Sequence, residues 1–168
     1  MPRNQSNNSS TLGTEVSIHG SCKGTRGRGG WAAVISDQEQ RQILSGNDRI
    51  TTAQRMTLLA AIKGIESINP KIPTVLYSND RYLLNALRNA TPRTANKDLW
   101  DRLQNLLEHR NVRYQLVSPP RRSPGIDIAK RIANMEANIY TIEKTSRPNT
   151  NNGNRSKLPR RPKRSTKR

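Results

Sequence analysis

The chain has 168 residues, the size of one domain, and carries 30 Lys and Arg against 12 Asp and Glu, a formal net charge of +18. That imbalance makes a polyanion the expected partner, and no apolar run approaches the length of a membrane span, so nucleic acid is expected and a membrane is not. A single cysteine, Cys22, excludes an intrachain disulfide and a cysteine-based zinc site, and no cofactor is implied.

Residues 1–12 are polar, rich in Asn and Ser, without an apolar signal core, and are expected to be disordered. Glu15 to His19 alternates around Val16 and Ile18, as a strand does. Gly24, Gly27, Gly29 and Gly30 mark a permissive turn, and Trp31 to Ser36 is apolar on both faces, as a central strand would be. Arg41 to Ser45 fits a third strand closing a meander. Thr52 opens a helical run to Ile68 with Met56, Leu59, Ala60, Ile62 and Ile65 near one stripe, ended by Pro70 and Pro73.

Thr74 to Ser78 is a short strand after a helix, which implies a parallel crossover. Asp80 begins a second helix with Tyr82, Leu83, Leu84 and Leu87 available for packing. Pro92 and Asn96 bracket a loop, and Lys97 to His109 is a third helix with Leu99, Trp100, Leu103, Leu106 and Leu107 inward. Val112 to Val117 alternates as a strand; Pro119, Pro120 and Pro124 stiffen the next loop. The last helix runs from Gly125 to about Ile142, with Ile128, Ile132, Met135 and Ile139 at helical spacing. From Lys144 to Arg168 there are ten basic residues and no acidic one, an expected disordered tail. The expected organisation is thus a segment 1–12, a domain 13–143 and a tail 144–168, with the order β-β-β-α-β-α-α-β-α.

This order resembles the ribonuclease H type 1 family over residues 14–138. The resemblance rests on Gly-Ser-Cys at 20–22 with the glycines at 27–30, on T-x-Q-R-M-x-L-x-A-A-I at 52–62, on Ser78 to Tyr82, on D-L-W-x-x-L at 98–103, and on P-x-x-x-x-A-x-x-I-A at 124–133. It implies an α/β fold, the ribonuclease H-like fold, with a five-stranded mixed sheet flanked by helices. It also implies chemistry by four carboxylates around two divalent metals. Carried over position by position, those carboxylates fall on His19, Thr57, Asn79 and Lys130, and the family's loop histidine falls in the stretch Val117 to Pro120, which has none. The expectation from this is a protein without catalytic residues or bound metal, not an enzyme.

A site that has turned from anionic to cationic can meet a phosphate directly. His19, Gly20, Ser21, Lys23, Arg26, Arg28, Gln54, Arg55 and Lys130 are the candidate nucleic-acid contacts on the domain, joined by Arg160, Arg161, Lys163 and Arg164 in the tail. Each has a plainer reading: loop solubility for the turn cations, helix capping for Gln54 and Arg55, a half-buried imidazole for His19. Duplex RNA or RNA–DNA hybrid is the expected ligand, recognised by shape, charge and 2′-hydroxyls. Trp31 and Trp100 read as core, and Cys22 as a packed thiol. The expected roles are a viral accessory RNA-binding protein or, as the competing class, a capsid or nucleocapsid subunit, with self-association left open. The tail reads equally as a nuclear address or an RNA arm, giving cytoplasm, nucleus or nucleolus, and virion as expected locations.

Overall fold

The computed structural model describes residues 13–37, 40–89, 94–117 and 123–145. Residues 1–12, most of the tail with Arg160, Arg161, Lys163 and Arg164, and the prolines at 119 and 120 lie outside the described residues. The chain forms β1 (Thr14–Cys22), β2 (Gly27–Ser36), β3 (Arg41–Thr51), α1 (Ala53–Glu66), β4 (Thr74–Ser78), α2 (Arg81–Asn89), α3 (Lys97–Glu108), β5 (Val112–Leu116) and α4 (Pro124–Thr145). The predicted order holds. The sheet order is β3-β2-β1-β4-β5, antiparallel from β1 to β3 and parallel from β1 through β4 to β5, so the sheet is mixed, as expected.

The first three strands are longer than their sequence signals. The glycines at 27, 29 and 30 are strand residues rather than turn: Gly29 pairs with Cys22 and Gly30 with Ser21, and only residues 23–26 turn. Opposite them β3 continues past Ser45 to Thr51, its register slipping between Gly27 and Gly29. Hydrophobic alternation could not announce that extension, because Gly46, Asn47 and Asp48 carry no apolar side chain; their partners in β2 define it.

Thr52 caps α1 with extended backbone, its hydroxyl accepting from the Arg55 N–H at 3.2 Å. Past its other end Arg110 Nη1 donates to the carbonyls of Ile65 and Ile68, tying the end of the helix to the residues that lead into β5. The principal core lies between one sheet face and α1 to α3, with Val16, Ile18, Ala33, Leu58, Ile62, Ile65, Leu76, Leu83, Trp100 and Leu103 buried. Trp100 is core as expected; Trp31 is half-buried against Gly46.

The other face of β2 offers Ala32 and Val34 to Ala129 and Ala133 of α4. Small residues let this helix lie close. A Cβ added at Gly30 would stand 2.2 Å from the Ala133 carbonyl oxygen, and one on Gly125 2.4 Å from Ser17 Oγ. The helix buries Ile126, Ala129, Ala133 and Ala137 and leaves Met135 and Ile139 outward. It also continues to Thr145, so Lys144 and Thr145 belong to it and not to a disordered tail. Among the described residues no helix is long and apolar enough to cross a membrane.

Candidate nucleic-acid interface

The four positions that the resemblance marks converge where β1 and β4 end. His19 lies on β1 beside Ala32, one residue past the Ile18–Ser78 pair that joins β1 to β4. Asn79 follows β4 directly, and its Oδ1 stands 3.2 Å from His19 Nδ1. Thr57 is reached through Gly20: a Cβ there would meet the Thr57 N at 2.2 Å and its hydroxyl at 2.6 Å. Gly20 therefore holds β1 against the α1 backbone. Lys130 comes from α4 and acts electrostatically on His19. The helix is fixed there by Ser21, whose hydroxyl donates to Asn134 Oδ1 at 2.6 Å.

The electrostatics follow from that packing. Burial holds the His19 imidazole below the usual histidine value; the Asn79 hydrogen bond opposes this, Lys130 adds to it, and Asp80 opposes it. His19 is thus driven toward its neutral form near pH 7, and Lys130 is the cation of the cluster. Lys130 is exposed and has no carboxylate in salt-bridge reach among the described residues.

A two-metal centre of the ribonuclease H kind needs oxygen donors that carry charge. The four positions supply an imidazole, a hydroxyl, an amide and an ammonium. The Thr57 hydroxyl is buried and donates to the Ala53 carbonyl at 3.0 Å. Asp80, next to Asn79, caps α2 by accepting from the Leu83 N–H at 3.1 Å. Among the described residues no three His, Cys, Asp or Glu side chains are grouped to hold a metal ion. The residues present at these positions do not fit divalent cations.

The remaining sequence candidates divide. Lys23 and Arg26 are exposed at the turn between β1 and β2, while Arg28 is half-buried and engaged within the fold. Gln54 is exposed at the start of α1. Arg55 beside it is committed to a bidentate pair with Asp98, Nη1 to Oδ1 at 3.1 Å and Nη2 to Oδ2 at 2.7 Å, with Asn96 Oδ1 at 3.4 Å. That pair holds the Asp98 carboxyl below the usual carboxylate range and the guanidinium above its own. Cys22 donates to the Thr51 carbonyl at 3.3 Å, a packed thiol as read from the sequence. Asn134, which ties α4 to the site, was not among the candidates; it lies one helical turn beyond Lys130, and that spacing was the available signal.

The RNase H family model matches residues 14–119, and the chain belongs to that family. It is 38% identical over 109 residues to the ribonuclease H of Syntrophus aciditrophicus (strain SB), covering 56% of this chain and 63% of that protein. It is 32% identical over 128 residues to the ribonuclease H of Francisella philomiragia, covering 68% of this chain and 84% of that one. The first of these is thus matched over less than two thirds of its own length. The fold is also that of LC11-RNase H1 in complex with RNA/DNA hybrid, with a TM-score of 0.60 at 12% identity, covering 73% of this chain and 97% of that one.

One expectation is corrected by these findings. The reading of the chain as not an enzyme does not stand: the relatives are named as ribonucleases H, and the donor set at four positions does not show that activity is lost.

Proposed function

We propose that this member of the RNase H family engages RNA–DNA hybrid or double-stranded RNA across the ends of β1 and β4 and the adjoining side of α4. The supporting observation is the convergence of His19, Asn79 and Lys130, with Ser21 and Asn134 locking α4 to β1, beside a turn that exposes Lys23 and Arg26. Lys130 supplies charge where a phosphodiester passes, and Lys23, Arg26 and Gln54 extend the contact along the backbone. Arg55 serves chiefly to hold α1 and α3 together, so its contact with nucleic acid requires release from Asp98. The fold's relative LC11-RNase H1 is itself seen with an RNA/DNA hybrid. The names of the relatives lend nothing to a viral accessory or shell role.

The test is a competition assay over hybrid, double-stranded RNA, double-stranded DNA and single strands at one near-physiological salt, with a labelled hybrid incubated in parallel with Mg²⁺ or Mn²⁺. A-form duplexes are expected to win. Lys130→Glu should weaken hybrid binding about tenfold or more and lower the salt slope by about one. Equal affinity for single strands, or an unchanged Lys130→Glu, overturns the reading. Cleavage in the parallel incubation would give the chain its family's activity.

A further inference from the structure

The flank of α4 that turns away from the sheet carries a pattern the duplex reading does not use. Ile128, Ile132, Met135 and Ile139 are separated by four, three and four residues. That is the 3.5-residue repeat of a two-helix seam, and Ile142 holds the next place in the sequence. Ile128 and Ile132 are half-buried against the small cluster under the helix, whereas Met135 is 65% and Ile139 37% exposed. Isolated apolar residues on a surface need no explanation, but a continuous stripe in heptad register does.

The charges at the stripe's borders say what fits it. With Ile132 and Ile139 at the first core position of the heptad, Arg131 borders the seam on one side and Glu136 on the other. Between two parallel helices those two positions, five residues apart, face each other across the seam. A second copy therefore brings its Glu136 to Arg131, and symmetry repeats the pair. Glu136 is held in place: Ser45 Oγ donates to one oxygen at 2.6 Å and Asn47 Nδ2 to the other at 2.7 Å. A carboxylate has further lone pairs for an incoming guanidinium. Arg131 is exposed and has no carboxylate in salt-bridge reach among the described residues.

We propose that α4 docks a second copy of this chain, helix to helix in parallel register, along Ile128, Ile132, Met135 and Ile139. The helix is already built on the sheet, so association does not carry the nucleation cost that makes so short a seam marginal for free peptides. This proposal is independent of the duplex reading.

The full chain, stripped of nucleic acid by nuclease and high salt, is followed by sedimentation and light scattering from about 1 to 300 µM, a range suited to a short seam. A monomer–dimer equilibrium is expected. Met135→Glu and Arg131→Glu should each weaken it about tenfold or more, with unchanged thermal melting. Met135→Cys in a Cys22→Ser background should form a disulfide dimer under mild oxidation, because that position faces its own copy across a parallel seam. A monomer across the range, a dimer indifferent to Met135→Glu, or a proven dimer in which Met135→Cys forms no crosslink overturns the proposal. So does a monomer that uses Met135 to bind anionic vesicles.

Discussion

His19 is the residue whose surroundings make the most specific demand. Its imidazole is burdened by burial and by Lys130, relieved only in part by Asn79 and Asp80. The folded value lies below the unfolded one, so the unfolded chain takes up this proton first, near pH 6.5. Stability should therefore fall as pH drops from about 7 through that value, with the loss complete below the folded value. In His19→Gln the urea midpoint should decline less between about pH 7 and 5 than in the parent; equal declines would detach the histidine from the effect. A bound phosphate favours the charged imidazole, so hybrid affinity should move the opposite way and tighten as pH falls. The grouping was legible in advance, since the resemblance sets His19, Asn79 and Lys130 in one site and His19 at a strand end reads as half-buried. The hydrogen bond was not: Asn79 is sixty residues away, and the contact depends on the parallel pairing of β1 with β4. Arg55 was legible as a helix-start cation and not as the partner of Asp98, because an exposed arginine has the same local signature whichever way it turns.

At the scale of elements, α4 lies close on β2, on the sheet face opposite the principal core. At Gly30 a methyl group would stand 2.2 Å from the Ala133 carbonyl oxygen, 2.5 Å from Glu136 Cβ and 2.6 Å from the Ala137 N. Gly30→Ala should destabilise by about 1–3 kcal/mol and lower Tm by several degrees, since backbone atoms cannot yield as a flexible side chain can. A melting curve that does not shift would mean that the helix rides freely on the sheet. The existence of α4 was plain from its periodicity. Its buried face was not: the large residues define one stripe, and the sheet takes the stripe of alanines instead, because glycines in β2 leave no depth for isoleucine. Likewise β3 was seen only as far as Ser45, where its apolar side chains stop, though its backbone pairing continues to Thr51.

At the scale of the whole molecule, the folded elements and the basic sequence that follows them carry separate predictions. Nine of the 30 basic residues follow Thr145. Ending the chain after Thr145 keeps every described element, so the preference for duplex over single strand should persist while the slope of log affinity against log salt becomes shallower. Loss of duplex preference in that variant would transfer the reading of shape to the arm. The fold class and element order were legible because five local matches fall in the right order; the concentration of basic residues after Thr145 was legible from composition alone.

The anchoring of β1 by Ser21 to Asn134 has a consequence for synthesis. Strands and helices up to β5 can leave the ribosome and pack, but the cation at residue 130 arrives only with α4. During translation the side chain proposed to face a phosphodiester is therefore among the last of the folded elements to be made, and a chain cut short before residue 124 leaves the Ser21 hydroxyl without Asn134.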